Sequence, residues 1–213
     1  MIKGIIFDKD GVIFDSEPVY AMATIKTLEK FGHFLTEKDY FEYWTRKGWG
    51  IKEFLEHKKI KIDLEEFKRM RHEIIDFEIK RKLPLIDGAE KVLSSFKGIY
   101  PLALVTSSDT RVTNLKLEIS GFYRFFDFVI TKEDVTNHKP HPEGFLLAAD
   151  KLNINPENIV VIEDAEKGVI AAHNAGMKCI AIPNKYTKFN DFSLADVVLR
   201  DIGEITPELI KTL

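Results

Sequence analysis

Four short segments of this 213-residue chain carry side chains that could do chemistry together. The first is Phe7-Asp8-Lys9-Asp10-Gly11-Val12, an apolar run that ends in two carboxylates bracketing one residue. Charges at the end of a buried strand are costly to desolvate, and at this spacing Asp8 and Asp10 can both approach one phosphoryl group or one metal ion. Gly11 lets the chain turn sharply away, although an ordinary Asp-Gly turn would use the same residues with no chemistry. The second segment, Leu104-Val105-Thr106-Ser107-Ser108-Asp109, offers a hydroxyl and backbone N–H groups at a strand-to-helix turn. That suits a phosphate cradle; a helix N-cap at Ser108 or Asp109 would account for it equally.

The third segment is Asn137-His138-Lys139-Pro140-His141-Pro142, a lysine in a loop stiffened by two prolines. A fixed ammonium beside the two acids would lower their pKa values and offset phosphate charge; taken alone, Lys139 reads as a solvated surface lysine. His138 and His141 lack partner ligands at metal-binding spacing and read as surface residues. The fourth segment, Val161-Ile162-Glu163-Asp164, is another apolar strand that finishes in paired acids. Two acid pairs on strand ends of one sheet repel each other unless a cation lies between them. Oxygen ligands of this kind suit Mg2+ rather than zinc.

The elements that must position these groups follow from hydrophobic patterning. Short apolar runs recur at residues 5–7, 102–105, 128–130, 159–162, 180–182 and 197–199. They are continuous rather than alternating, which predicts strands buried on both faces of a parallel sheet. Helical patterns lie between them, at 87–96, 111–118, 142–151 and 168–175, and strand–helix alternation of this kind predicts a doubly wound α/β sheet. From Ser16 to Leu83 only helix signals occur. Ser16 reads as an N-cap with Pro18 in the first turn, and Asp63 with Glu66 as a capping-box start. Tyr40, Phe41 and Trp44 stripe a helical segment between them. The expected organisation is therefore an α/β core of residues 1–15 and 84–213 and an all-helical insert of residues 16–83.

Composition narrows the classes. The net charge of −3 gives no support for nucleic-acid or acidic-membrane partners, and no apolar run reaches the ~18 residues that cross a bilayer. A single cysteine, Cys179, excludes an internal disulfide framework and points to a reducing compartment. The opening residues Met1–Phe7 have no signal-peptide layout, so a cytoplasmic protein is expected. Residues 16–83 hold 15 basic and 13 acidic residues, so the insert is +2 and the remainder −5. An acidic core beside a mildly basic insert would suit a metal site that receives an anion, although solvated helix faces explain the charges as well.

Taken in order, Asp8-x-Asp10-Gly11-Val12, Thr106, Lys139-Pro140 and Glu163-Asp164 resemble the haloacid-dehalogenase-like hydrolase superfamily from Ile2 to about Asp201. The helical insert is similar to that family's type 1 cap, and Asp15-Ser16-Glu17-Pro18 with the stretch from Glu163 to Met177 looks like the β-phosphoglucomutase and phosphoglycolate-phosphatase branch. The fold implied is a Rossmann-like, mostly parallel sheet with a smaller helical cap. The resemblance implies that Asp8 is the nucleophile forming an aspartyl-phosphate and Asp10 the general acid and base. Mg2+ would be held by the Asp8 carboxylate, the Asp10 carbonyl oxygen and Asp164, with Glu163 acting directly or through water. Thr106, the Ser107 amide and Lys139 would bind the phosphoryl oxygens.

An aspartate at position 10 separates phosphate-ester chemistry from the dehalogenases and phosphonatases of the superfamily. The expected partner is a small-molecule phosphate ester; a monomer is assumed, with no sequence feature that sets the oligomeric state. Sugar-phosphate mutases of the branch carry a histidine and an arginine where this chain has Tyr20 and Ile51, which favours hydrolysis over the mutase alternative. A non-catalytic module on the same scaffold is a further alternative, opposed by the intact acid set. Lys9 departs from the family, which usually has an apolar residue there. Substrate choice is expected in the cap at Arg46, Lys47 and Trp49, in a loop freed by two glycines, although cap core is the commoner role for a tryptophan such as Trp44 or Trp49.

Overall fold

A computed structural model describes all residues, 1–213. The chain divides into two compact units, Ser16–Leu83 and Met1–Asp15 with Pro84–Leu213.

The first unit is helical: α1 (Glu17–Lys30), α2 (Glu37–Tyr40), α3 (Ile51–Lys58) and α4 (Leu64–Arg81). Gly32, just past the end of α1, makes the exit turn with a φ of +80°. Helix α4 starts at Asp63, whose carboxylate accepts from the Glu65 and Glu66 amides at 2.9 and 3.0 Å. Ser16 departs from expectation: it precedes α1 in an αR conformation, and its side chain makes no capping bond. Pro18 still fits the first turn, where an N–H has no helical acceptor. Ala21, Leu28, Tyr40, Phe54 and Phe67 pack as one apolar cluster. The segment striped by Tyr40, Phe41 and Trp44 is a π-helix at Phe41–Arg46 rather than a plain α-helix. Its closing bond runs from the Lys47 amide back five residues to the Glu42 carbonyl. The wider turn stacks the Trp44 ring on Tyr40 at 5.0 Å and 9°.

The second unit is built on a six-stranded, wholly parallel sheet. Its strands are β1 (Gly4–Phe7), β2 (Leu102–Val105), β3 (Phe128–Ile130), β4 (Ile159–Glu163), β5 (Lys178–Ala181) and β6 (Val197–Val198), in spatial order β3-β2-β1-β4-β5-β6. Helices α5 (Ala89–Phe96), α6 (Thr110–Ser120), α7 (Glu143–Leu152), α8 (Glu166–Asn174) and α9 (Pro207–Thr212) complete it. Ile5, Ile6 and Phe7 are fully buried, each contributing about 1.5–3 kcal/mol relative to exposure. The edge strands differ from the expected two-faced burial: Phe128 and Val198 are exposed. An edge strand has a neighbour on one side only, so its apolar run is covered incompletely. The strand order reverses beside β1, between β2 and β4, and in an open α/β sheet such a switch point leaves a crevice at the carboxyl ends of the strands. No helix is long and apolar enough to cross a membrane.

Candidate active site

The residues singled out by spacing gather at that crevice. Asp8 follows β1, Thr106 follows β2, Glu163 ends β4 with Asp164 next to it, and Lys139 reaches in from the loop before α7. Lys139 Nζ donates to Asp8 Oδ1 at 2.6 Å, to Glu163 Oε1 at 2.7 Å and to the Val105 carbonyl at 3.1 Å. All three amine protons thus have acceptors. The solvated-lysine reading of Lys139 is corrected here: its side chain is 11% exposed.

Asp8, Glu163 and Asp164 are buried and bring one carboxylate oxygen each within 4.8 Å of one another. The second Glu163 oxygen accepts from the Asp164 and Ala165 amides, at 2.9 and 3.2 Å. Asp164 Oδ2 accepts from Asn184 Nδ2 at 2.7 Å. Gly11 makes the close approach possible. Its φ is +88°, and a Cβ there would lie 2.0 Å from Asp164 Oδ2.

Burial raises the Asp8 carboxyl to about 7, with Glu163 and Asp10 adding to the rise and Lys139 opposing it. Asp164 is pushed well above the usual carboxylate range by burial, then by the charges of Glu163 and Asp8. Lys139 is raised as well: burial would lower it, but Asp8 and Glu163 outweigh burial and hold it above its ordinary value. Three acids thus face one ammonium in this cluster. Three buried carboxylates with hard oxygen donors fit a divalent cation, and a cation between them would relieve the mutual repulsion that, after burial, raises Asp8 and Asp164.

Asp10 sits in a different field. Burial would raise its carboxyl, but Lys116 and Lys9 outweigh burial and hold it well below the usual range. Lys116 Nζ lies 2.6 Å from Oδ1, and Ser108 Oγ donates to Oδ2 at 2.5 Å. Lys9 Nζ lies 3.1 Å from Oδ2. Lys9 is fully buried, with its ammonium against Asp10 and Thr113. Thr106 is buried, and its hydroxyl accepts from the Ser108 amide at 3.2 Å. Thr106, Ser107, Asn137 and Lys139 line one narrow recess.

Sequence reasoning missed Lys116, Ser108 as a partner of Asp10, and Asn184. Lys116 left a signal, since a lysine shares the inward face of α6 with Val112, Thr113 and Leu117. Asn184 lies in the loop after β5, another carboxyl end of the sheet.

Arg46, Lys47 and Trp49 lie in the helical unit and have partners there. Arg46 pairs with Glu42 at 3.3 Å and is largely exposed. Lys47 Nζ lies 4.9 Å from the ring centres of both Tyr43 and Trp49. Trp49 stacks on Tyr43 at 5.3 Å and meets His57 edge-on. His138 and His141 are exposed. Cys179 is free and buried, and burial pushes its thiol up.

Residues 2–176 match the family model described as haloacid dehalogenase-like hydrolase. The chain is 34% identical over 188 residues to the phosphorylated carbohydrates phosphatase of Thermotoga maritima, covering 84% of each chain. It is 32% identical over 186 residues to the fructose-1-phosphate phosphatase YqaB of Escherichia coli K12, covering 84% of this chain and 95% of that protein. Its fold matches the crystal structure of CbbY from Rhodobacter sphaeroides in complex with xylulose-(1,5)bisphosphate, with a TM-score of 0.86 and 26% identity over 96% of both chains.

Proposed function

The chain belongs to the haloacid dehalogenase-like hydrolase family and is a phosphoric monoester hydrolase; on that footing we propose that it is a Mg2+-dependent phosphatase of a small phosphorylated metabolite, of the sugar-phosphate or phosphoglycolate type, working through an aspartyl-phosphate. The observation that carries this reading is the Asp8 carboxylate at the end of the central strand, held by Lys139 at 2.6 Å and grouped with Glu163 and Asp164. The sugar-phosphate class draws support from the relatives' printed names and from the sugar bisphosphate bound to CbbY.

In the proposed mechanism, an Asp8 oxygen attacks phosphorus, and the bond to the ester oxygen breaks as the new one forms. Asp10 gives a proton to the departing oxygen. Water then attacks phosphorus, Asp10 takes its proton, and phosphate leaves with Asp8 restored. Lys116 and Lys9 hold Asp10 ionised, the form that takes the proton from water; the proton given to the departing oxygen is one that Asp10 took up in the preceding turnover. Lys139, Thr106 and the Ser107 amide bind the phosphoryl oxygens, where a fixed ammonium opposes charge without reorganising. Mg2+ would be held by Asp8, Asp164 and the Asp10 carbonyl oxygen, with Glu163 orienting Lys139 or acting through water. Its contribution when bound is to neutralise phosphoryl charge and align donor and acceptor. Arg46, Lys47 and Trp49 remain the proposed substrate-selecting residues of the cap.

The test is a panel of phosphate esters with Mg2+, scored for inorganic phosphate and followed by 31P NMR. Free phosphate supports hydrolysis, and an isomerised sugar phosphate would establish the mutase alternative. Turnover of none of the panel would leave the non-catalytic module standing.

A further inference from the structure

A cleft of 380 Å3 opens in the α/β unit beside the acid cluster, within the range of about 300–1,000 Å3 typical of small-ligand sites. Gly11 and Asn184 line it, and both lie against Asp164. Asp8, Glu163, Asp164 and Lys139 do not line it, so it is separate from the crevice in which they meet.

Four segments frame the cleft, and each is held by its own hydrogen bonds. The turn after β1 brings Asp15, and the segment before α5 brings Asp87. These two segments are tied together: the Asp15 amide donates to the Pro84 carbonyl at 2.8 Å, and the Ile86 amide to the Ile13 carbonyl at 2.9 Å. The loop after β5 brings Lys185, and the loop after β6 brings Arg200. Asn184 Oδ1 accepts from the Tyr186 and Thr187 amides at 2.8 and 3.2 Å. Glu204 Oε1 accepts from the Arg200 and Asp201 amides at 2.9 and 3.0 Å. A frame fixed in advance lowers the ordering cost of binding.

The charges in this frame are of both signs. The side chains of Asp15, Asp87 and Arg200 make no hydrogen bond or ion pair, while the Lys185 ammonium lies 4.6 Å from the centre of the Tyr186 ring. Asp15 is half-buried, and Asp87 and Arg200 are exposed. Water alone satisfies an exposed charge, and would explain all three in a polar cleft. Leu85 sets this cleft apart: it lies between those groups in sequence and in the lining, and is 43% exposed. Apolar surface left open among opposite charges that do not pair suits a molecule bearing both charges on an apolar body.

We propose that this cleft binds a small zwitterion of the α-amino acid class with an apolar side chain. Its ammonium would meet Asp15 and Asp87, its carboxylate the Arg200 guanidinium, and its side chain Leu85. No step of phosphoryl transfer is involved, so the proposal stands or falls independently of the phosphatase reading.

The experiment is a calorimetric titration of the full chain with L-leucine and with two analogues that each lack one charge, isocaproate and isoamylamine. Leucine is expected to bind with a Kd of about 1 mM or tighter. Each analogue should bind at least about 10-fold more weakly, since each loses one charge-assisted contact. Arg200→Gln should weaken leucine by a similar factor with the circular dichroism spectrum unchanged, because only the backbone of Arg200 is bonded within the fold. Asp15→Asn should do the same, and Asp87→Asn carries that half of the test if Asp15→Asn does not fold. The proposal is overturned if leucine does not bind, if both analogues bind as well as leucine, or if Arg200→Gln binds leucine like the wild type.

Discussion

Gly168 lies under the Glu163 carboxylate so closely that a Cβ on it would stand 1.8 Å from Oε1 and 1.9 Å from Cδ. Glu163 is 2% exposed. Its two oxygens are committed to Lys139 and to the Asp164 and Ala165 amides. The first turn of α8 therefore serves as the floor on which this acid rests.

Gly168→Ala sets two effects against each other. Alanine inside a helix is favoured over glycine by about 1 kcal/mol, while forcing atoms into a filled site costs about 1–3 kcal/mol. The second effect wins here, because the overlap is with a carboxylate held on both sides. The variant is expected to melt below the wild type and to lose most phosphatase activity, since displacing Glu163 also releases Lys139. A melting temperature raised by the substitution would show that Glu163 is free to move.

Asp8→Asn removes the proposed nucleophile and keeps its volume. Turnover should fall at least about 10³-fold, since no neighbouring group replaces the attacking oxygen. The fold should not suffer at pH 8, because a neutral amide removes a buried charge and its repulsion with Glu163. Phosphate release and circular dichroism on the same preparation check both halves. Full turnover in this variant would remove Asp8 from the mechanism.

Asn184→Ala tests the outer support of the acid cluster. Its amide donates to Asp164 at 2.7 Å, and loss of such an outer-shell partner typically weakens metal binding 10–100-fold. The half-saturating Mg2+ concentration should rise by about that factor, with kcat at saturating Mg2+ close to the wild type. An unchanged Mg2+ dependence would make Asn184 a bystander.

How far the sequence revealed this arrangement depended on range. The strands around Ile6, Leu104 and Val161 were legible because a buried parallel strand is a continuous apolar run. Asp8, Thr106, Glu163 and Asp164 were legible as the polar residues that end such runs, and chain order gave their likeness to a known family. Lys139 needed the fold, since a lysine in a proline-bearing loop has no local sign of burial; its partners lie 131 and 24 residues away. The grip of Lys116 on Asp10 spans 106 residues and was not read at all. Its only trace was a charge on the apolar face of α6. The π-helical turn at Phe41–Arg46 escaped for another reason: the pattern of aromatic residues fits a 3.6-residue period, and the stacking of Trp44 on Tyr40 arises only in the folded unit.

The acid cluster also sets a pH dependence whose sign can be worked out. In the unfolded chain Asp8 ionises near 3.8, whereas in the folded protein burial and Glu163 hold its proton until about 7. Asp164 is raised in the same direction. Between those limits the folded protein binds more protons than the unfolded chain, so metal-free stability falls as the pH rises from about 4 to about 7. Asp10 has the opposite sign, its stabilisation being present above the ordinary carboxylate range and lost only in stronger acid. A divalent cation binds the ionised carboxylates and displaces their protons, and what binds only the folded state stabilises it. Addition of Mg2+ should therefore raise the melting temperature more at pH 8 than at pH 5.5, and Asp8→Asn should flatten the metal-free slope. Thermal melts at both pH values, with Mg2+ and with a chelator, measure this directly. An equal Mg2+ effect at the two pH values would mean that the cation does not bind where Asp8, Glu163 and Asp164 converge.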